Sequence, residues 1–354
     1  MEGVTCSGGM DDVDEAVMSQ EQVEETEELL ERGLREMREW LKDKTEMPGT
    51  AGVKSSWKLP PCTPLWTDPA LDGELLMFLR CELFNAKAAA KRYTKYWRRR
   101  ATLFGERATC DLTSREALLD SDVVALRKGY AVMLPGVRDP MGRVVVVLRP
   151  GRLDHKAYPR ESMVRACWFV LHKILRKVEG QRRGVRILVV GHEGTYAEYD
   201  SQLERALLDS LQATLPLRIG AVDICNPPWF FSAIFAVLRL FMADKVYQRI
   251  RIHAETNAEK LILLLRKRGL ERDMVPTELN GDYEVLWDKW CDRALAPRGT
   301  EGGEDEAAEA LLCAQAKAMS IEGELGAGSN GHGVHTVAAA PAPVTDAEPK
   351  REPS

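Results

Sequence analysis

NPPWFFSAIFAVLRLFMADKVYQRIRIH, residues 226–253, contains an unusually apolar segment. Twelve of the fourteen residues from Trp229 to Met242 are apolar, and Pro227-Pro228 and Asp244-Lys245 flank them. A helix of fourteen residues rises about 21 Å, short of the roughly 30 Å of a bilayer core. A helix that is apolar on nearly every face needs apolar neighbours on both sides. The segment therefore predicts either a central core helix or a movable cover over an apolar pocket.

Short apolar runs rich in β-branched residues alternate with helical patterns around this segment. The predicted strands are Val144–Leu148, Ile187–Val190, Ile219–Cys225 and Ile250–His253. The predicted helices between and after them are Glu161–Val178, Tyr199–Thr214, Trp229–Ala243 and Asn257–Arg268. Strands that are apolar on both faces and alternate with helices are typical of a parallel sheet covered by helices. We predict an α/β fold with a mostly parallel sheet and flanking helices.

The part of the chain before residue 115 has helical periodicity instead. Apolar residues recur every three or four positions from Glu21 to Lys44, and further helical segments follow around Leu75–Leu79 and from Ala86 to Leu103. Residues 45–69 contain five prolines and predict an irregular linker. The sequence therefore predicts a small all-α N-terminal domain, residues 21–115, before an α/β domain, residues 120–292.

Charge is distributed unevenly along the 354 residues, whose net charge is −5. Residues 1–47 carry 15 acids and 5 bases, residues 84–184 carry 23 bases and 9 acids, and residues 298–354 carry 10 acids and 4 bases. Composition predicts disorder for the acidic segments 1–20 and 297–354. The basic middle predicts contact with phosphate groups, on nucleic acid or on anionic lipid.

Cysteine usage and the N-terminal residues indicate the compartment. The eight cysteines include no Cys-x-x-Cys pair, so they predict reduced thiols rather than disulfides or a zinc site. The acidic N-terminus lacks the apolar region of a secretory signal, and no span reaches transmembrane length. We expect a soluble, monomeric cytoplasmic protein.

The chain lacks the common sequence motifs of nucleotide-binding sites, metalloproteases and serine hydrolases. Gly191-His192-Glu193-Gly194 follows a predicted strand, but the chain has no Gly-x-Gly-x-x-Gly motif and no phosphate-binding Gly-Lys-Ser/Thr. It has no second histidine at metalloprotease spacing and no Gly-x-Ser-x-Gly motif. The sequence therefore predicts no catalytic residue, no bound metal and no cofactor, and disfavours an enzyme.

The helix that contains Lys91–Arg100 combines bases with aromatic residues. Tyr93, Tyr96 and Trp97 could stack on nucleic-acid bases while the arginines bind phosphates. Alternatively, the aromatic stripe faces a core and the basic face is solvated. The acidic chain has no nucleic-acid-binding motif, so we favour the core interpretation and no nucleic-acid partner.

Basic residues lie on either side of the apolar segment. Arg218 precedes one predicted strand, and Lys245 and Arg249 follow the apolar segment. These bases could bind an anionic head group while the aromatic side chains contact acyl chains. Each would contribute about 1 kcal/mol near an anionic surface. They could equally be ordinary surface bases.

The order of these elements resembles the CRAL-TRIO lipid-transfer family over about residues 21–292. The N-terminal strings Glu74–Arg80 and Phe84–Ala89 are similar to a helical pattern of its N-terminal domain. Leu215–Arg218, before a predicted strand, resembles its Tyr/Phe-Pro turn, and Asn226–Phe231 resembles the Asn-x-Pro-x-x-Phe string at the start of its gate helix. Val275–Gly281 resembles its closing Leu-Pro-x-Glu-x-Gly-Gly motif.

The resemblance implies a cytosolic carrier that encloses one hydrophobic molecule beneath a swinging helix. It implies that Arg218, Lys245 and Arg249 bind phosphoinositide head groups. The chain departs from the family pattern at Leu217, where some members have Glu, and at Arg239-Leu240-Phe241, where Lys-Pro-Phe is usual. The identity of the cargo is therefore not implied.

We name residues Trp229–Ala243 the gate segment. The residues that we predict to line a ligand pocket or form the gate are Trp229, Phe230, Phe231, Ile234, Phe235, Leu238 and Phe241. The predicted function is non-catalytic binding of a hydrophobic ligand and its transfer between membranes, with transient association with a phosphoinositide-containing surface. The alternative is a regulatory module that senses lipid and recruits protein partners at membranes.

Overall fold

A computed structural model describes residues 21–46, 64, 67–192, 194–196 and 199–297. The two predicted disordered segments lie outside the described residues, except for Pro297. Most of the predicted linker, residues 45–69, also lies outside them. No helix within the described ranges is both long and apolar enough to cross a membrane.

Three helices form the N-terminal part: α1, Glu27–Glu46; α2, Asp72–Cys81; and α3, Ala86–Phe104. Asn85 caps α3, because its side-chain oxygen accepts a hydrogen bond from the backbone N–H of Ala88 at 3.0 Å. The predicted N-terminal helices are thus present. The first begins six residues later than its periodicity indicated.

The aromatic stripe of α3 lies in the core. Tyr93, Tyr96 and Trp97 are buried, and Tyr96 stacks on Trp168 with ring centroids 5.5 Å apart. Trp168 lies on a helix of the α/β part, so the stripe joins the N-terminal helices to the sheet layer. The structure therefore uses these rings for packing, as the core interpretation predicted.

A five-stranded sheet with strand order β1-β2-β3-β4-β5 forms the centre of the α/β part. Its strands are β1, Ala131–Arg138; β2, Val144–Leu148; β3, Val185–Val190; β4, Ile219–Cys225; and β5, Ile250–His253. Strands β2 to β5 pair in parallel, and β1 pairs antiparallel with β2 at one edge. The predicted α/β fold with a mostly parallel sheet is confirmed.

Further helices lie among the described residues from Asp120 to Leu295 and cover the sheet. They are α4, Asp120–Lys128; α5, Arg160–Leu175; α6, Val178–Arg183; α7, Ser201–Asp209; α8, Phe231–Arg239; α9, Asp244–Tyr247; α10, Ala258–Arg266; and α11, Trp287–Leu295. A π-helical turn, Ser210–Thr214, extends α7. Short 3₁₀ turns lie at Pro69–Leu71, Gly105–Thr109, Arg115–Ala117, Pro150–Arg152, Arg272–Met274 and Thr277–Leu279.

Asp223, in the middle of β4, is the centre of a buried ionic cluster. Its carboxylate lies 2.8 Å from Nη2 of Arg186, 2.5 Å from Nε of Arg268 and 2.9 Å from Nε2 of His253. Although burial alone would raise the pKa of Asp223, the bond to His253 and the two arginine charges lower it well below its usual range. The cluster ties β3, β4, β5 and the chain after α10 together.

The gate segment is only partly helical. Helix α8 occupies nine residues, Phe231–Arg239, so the helix predicted over Trp229–Ala243 is too long at both ends. Pro227-Pro228 and a positive φ of 49° at Asn226 set its start. None of the residues of α8 is fully buried, so α8 lies at the surface and is not a central core helix.

Candidate functional site

An apolar cavity of about 220 Å³ lies between the sheet and the gate segment. Residues of all five strands or their ends contribute, including Val146, Ile187 and Val222. Helix α5 adds Trp168 and Leu171. Since the lining is almost entirely apolar, the cavity is suited to hydrocarbon rather than to a polar metabolite.

One face of α8 contributes to the wall of this cavity. Phe231, Ile234, Phe235 and Leu238 line it, at the i, i+3, i+4 and i+7 spacing of a single helix face, and Phe230 lines it just before the helix. The rings of Phe231 and Phe235 stack with centroids 5.4 Å apart. The structure thus brings five of the seven predicted gate residues to one cavity.

The other two predicted gate residues do not line the cavity. Trp229 is 90% exposed and touches the edge of Phe230, because it precedes the helix on the outer side of the turn. Phe241 follows the end of α8, and its ring lies under the guanidinium of Arg205 at 4.3 Å. Neither side chain therefore lines the pocket, and their role in the gate stays a prediction.

The outer face of the gate segment is apolar and exposed. Leu240 is 79% exposed and Val237 is 50% exposed, and Trp229 extends this surface at the start of the segment. Val237 and Leu240 are three positions apart, the spacing of neighbours on one helix side, and exposed apolar groups that lie together are typical of surfaces that meet a partner or a membrane. The gate segment therefore has apolar side chains on both its inner and its outer face.

The gate segment is fixed at its two ends by specific contacts. At the start, a Cβ on Gly191 would lie 2.7 Å from the carbonyl oxygen of Cys225 and 2.9 Å from Cα of Pro227, so only glycine permits this close approach. At the end, the side chain of Gln212 donates to the carbonyl of Phe241 at 2.7 Å and accepts from the N–H of Ala243 at 2.9 Å. Close packing therefore explains why residue 191 is glycine, without a role in phosphate binding.

A carboxyl group lies in the otherwise apolar wall. Glu204 lines the cavity, and the hydroxyl of Tyr130 donates a hydrogen bond to its Oε1 at 3.0 Å. Burial raises the pKa of Glu204, the bond from Tyr130 lowers it less, and the nearby Asp200 raises it further. A sequence signal for this group existed, because Glu204 has the i, i+3, i+4 and i+7 spacing of one helix face with Leu207, Leu208 and Leu211, which also line the cavity.

The three predicted head-group residues lie near the amino ends of β4 and β5 but differ in accessibility. Arg218 donates to the carbonyl of Arg182 at 3.1 Å and also bonds the carbonyl of Glu21. Arg249 bonds the carbonyl of Ile219. Burial lowers the pKa of both guanidiniums, although arginine stays charged. Lys245 is exposed, with no hydrogen-bond or ion-pair partner among the described residues.

A second cavity, of about 330 Å³, is polar and basic. Arg80, Arg182, Arg183 and Arg218 line it, together with residues 22–25 of the N-terminal segment. Glu25 accepts hydrogen bonds from Arg80 and Arg182 inside it. The structure therefore places Arg218 in this cavity, whereas Lys245 and Arg249 are not among the residues that line it.

The sequence contains a pattern that predicts basic residues at one edge of the sheet. Each of the four parallel strands has an arginine one or two positions before its first residue: Arg143, Arg183, Arg218 and Arg249. Because the amino ends of parallel strands lie at the same edge of a sheet, this repetition predicts a basic edge. Arg80 gave no such signal, since it comes from α2 of the N-terminal part.

Metal ligands do not cluster in the part of the chain that the structure describes. No group of three or more His, Cys, Asp or Glu side chains there could hold a metal ion.

A family model described as the CRAL/TRIO domain matches residues 127–281. An alpha-tocopherol transfer protein-like protein of Homo sapiens is 28% identical over 218 residues, which are 59% of this chain and 58% of that protein. Clavesin-1 of Xenopus laevis is 26% identical over 220 residues, with 59% and 60% coverage.

The chain covers less than two thirds of the length of these relatives, 58% and 60%. Among solved structures, the crystal structure of Sfh5 aligns with a TM-score of 0.44 and 11% sequence identity. That alignment covers 68% of this chain and 84% of the Sfh5 chain.

Proposed function

We propose that this protein, whose residues 127–281 match a family model described as the CRAL/TRIO domain, binds a hydrophobic ligand without catalysis and transfers it between membranes. Members of this family bind or transfer lipids. The observation that carries the proposal is the apolar cavity of about 220 Å³ with α8 in its wall. The cavity provides a binding place, and the exposed helix beside it provides a route for entry and exit.

The contacts of α8 support a gating movement. Its inner face contacts the cavity through side chains that are only half-buried, such as Phe231 and Ile234. Outward movement of α8 would expose the buried half of these side chains to water, at a cost below the roughly 1.5–3 kcal/mol of a fully buried large apolar side chain. A bilayer would remove this cost, because acyl chains would replace the cavity wall. Opening is therefore expected at a membrane and not in solution.

The outer face gives a means of docking. Trp229, Val237 and Leu240 are exposed apolar groups on the gate segment itself, and Lys245 lies a few residues beyond them. Insertion of the three apolar side chains would bring the exposed ammonium group of Lys245 to lipid phosphates. We propose that Lys245, with Arg218 and Arg249 near the same edge, binds phosphoinositide head groups.

A transfer assay tests this function. Purified protein is mixed with donor vesicles that contain a fluorescent lipid and with unlabelled acceptor vesicles, and the rate of transfer is measured. We expect transfer by the wild-type chain and loss of transfer when Phe231→Asp and Phe235→Asp are combined. The two carboxylates would have to be desolvated in an apolar wall.

A matched variant separates loss of the gate from an effect of added charge. Leu263→Asp with Leu264→Asp adds two carboxylates at exposed positions of α10 and should transfer at the wild-type rate. Equal transfer by the Phe231/Phe235 variant and the wild type would refute the gate. A wild-type chain that retains its cargo without exchange, and binds a protein partner only when loaded, would instead be a lipid sensor.

A further inference from the structure

Glu204 is the one ionisable acid or base, apart from tyrosine and cysteine, among the described residues that line the apolar cavity. Its Oε1 accepts the hydrogen bond from Tyr130 at 3.0 Å. Its second oxygen, Oε2, has no hydrogen-bond partner among the described residues. A cavity-lining carboxyl group with one of its two oxygens unpartnered can bind a polar group of a ligand.

Glu204 differs from the fully buried carboxylates among the described residues, each of which has an arginine partner. These are Asp122 with Arg165 at 2.9 Å, Asp139 with Arg143 at 2.6 Å and Asp223 with Arg186 at 2.8 Å. Buried carboxylates are normally paired in this way, because an isolated charge is costly to desolvate. Glu204 forms no ion pair with any described residue, so a structural ion pair does not explain it.

The surroundings of Glu204 favour its neutral form. Burial raises its pKa, and Asp200 adds to this rise, which the hydrogen bond from Tyr130 opposes only in part. A neutral carboxyl group has one O–H donor as well as acceptor oxygens. An alcohol also has one donor and one acceptor, so the two groups match.

Resting on the function proposed above, we propose that Glu204, positioned by Tyr130, hydrogen-bonds the hydroxyl group of a neutral lipid alcohol in the cavity. No lysine, arginine or histidine is among the described lining residues, so a phosphate or a carboxylate inside the cavity would meet no cation. Ser210 is already engaged, because its Oγ donates to the carbonyl of Ala206 at 2.7 Å and accepts from Trp168 at 3.0 Å. The cargo is thus largely hydrocarbon, with a hydroxyl as its principal polar group.

The test uses sixteen-carbon probes that differ only in their head group. 1-Hexadecanol, hexadecylamine and hexadecanoic acid, together with heptadecane as the apolar isostere, compete with nile red for the purified full-length chain. Fluorescence gives each inhibition constant. We expect Glu204→Leu combined with Tyr130→Phe to weaken the binding of 1-hexadecanol about tenfold, because one buried hydrogen bond is lost. The inhibition constant of heptadecane should not change.

Two further variants keep the result interpretable. Glu204→Gln retains a donor and an acceptor, so it should bind 1-hexadecanol within about twofold of the wild type. Glu161→Leu makes the same chemical change as Glu204→Leu at an exposed position of α5 and should leave all four inhibition constants unchanged.

The outcomes separate this inference from the proposed function. If no probe displaces nile red, the cavity binds no hydrocarbon and the proposed function fails. If all probes bind, but the Glu204/Tyr130 variant binds the alcohol and the alkane more weakly by the same factor, the proposed function stands and the role of Glu204 is rejected. If hexadecylamine binds tightest and Glu204→Gln weakens it, Glu204 binds as a carboxylate and the alcohol assignment is overturned.

Discussion

The carboxylate of Glu25 and the guanidinium of Arg80 form a two-point contact, with Nε of Arg80 2.9 Å from Oε1 and Nη2 2.9 Å from Oε2. Burial alone would raise the pKa of Glu25, but the bonds from Arg182 and Arg80 outweigh it and lower that pKa. Glu25 therefore stays ionised and neutralises two of the arginines of the basic cavity.

Glu25 should compete with anionic lipid for this cavity. Glu25→Gln would remove one negative charge, which corresponds to about 1 kcal/mol near an anionic surface. We expect about fivefold tighter binding to phosphatidylcholine vesicles that contain a phosphoinositide, measured by co-sedimentation. The gain should shrink in high salt.

Glu28→Gln is the matched control, because it makes the same change of net charge at an exposed position of α1. An equal gain from both variants would mean that Glu25 acts only through net charge and does not block the cavity.

The outer face of the gate segment should be required for transfer but not for cargo binding. Trp229→Ser with Leu240→Ser removes two exposed apolar groups that make no contribution to the cavity wall. We expect vesicle binding to weaken by at least tenfold, since each side chain contributes roughly 1.5–3 kcal/mol when buried. Nile red should still bind the cavity normally. A parallel loss of nile red binding would contradict the division into two faces.

Lys245 should contribute to membrane affinity without contributing to stability. Lys245→Glu reverses an exposed charge that has no partner among the described residues, so the melting temperature should stay within about 1 °C of the wild type. Binding to phosphoinositide vesicles should weaken more than fivefold at low salt and less at high salt. Lys289→Glu reverses an exposed charge on α11 and should have a smaller effect. Equal effects of the two variants would argue against a head-group role for Lys245.

Strands with a clear local pattern could be predicted from the sequence, and a strand without one could not. Strands β2, β4 and β5 begin and end where predicted; for β2 and β4 the reason is that apolar runs buried on both faces have few other interpretations. Strand β1 was missed, since Pro135 and Gly136 within it suggest a break. An edge strand tolerates both residues, and the register of β1 against β2 shifts there.

The candidate site was less predictable because its polar parts are assembled from distant residues. Helical spacing was sufficient to find Phe231, Ile234 and Phe235, which share one helix face. By contrast, Glu25 lies 55 residues from Arg80 and 157 from Arg182, and no local pattern links them. Their proximity results from the packing of the N-terminal part against the sheet layer.

His172 should make the protein less stable in mild acid. Its Nδ1 lies 2.7 Å from the carbonyl oxygen of Trp168 and therefore donates to it, while Nε2 accepts from the hydroxyl of Tyr96 at 2.9 Å. Tyr96 in turn accepts from Nη1 of Arg100 at 2.9 Å. Burial, together with the smaller effect of the nearby Arg100 charge, lowers the pKa of His172 to about 3, although the hydrogen bond to the carbonyl of Trp168 opposes this shift. The folded protein therefore holds this ring neutral.

The sign of the pH dependence follows from the two pKa values of His172. Above about pH 6.5 the ring is neutral in both the folded and the unfolded chain, so it causes no pH dependence there. Between about pH 6.5 and pH 3 the unfolded chain binds a proton at this ring that the folded protein does not bind. The stability of the folded protein therefore decreases as the pH decreases through this range. At pH 5 the loss should be about 2 kcal/mol. His172→Gln keeps neutral hydrogen-bonding groups and should remove this loss, although it lowers stability at pH 7.5.

Urea unfolding of the full-length chain at pH 7.5 and pH 5 measures this effect. The free energy of unfolding should fall by about 2 kcal/mol more in the wild type than in His172→Gln. His192→Gln replaces an exposed histidine and should behave as the wild type does. Other acidic groups titrate in all three proteins, so only the difference between variants is attributed to His172. If the wild type and His172→Gln lose the same free energy, the ring accepts a proton in the folded state, and the network from Arg100 to Trp168 must rearrange to allow it.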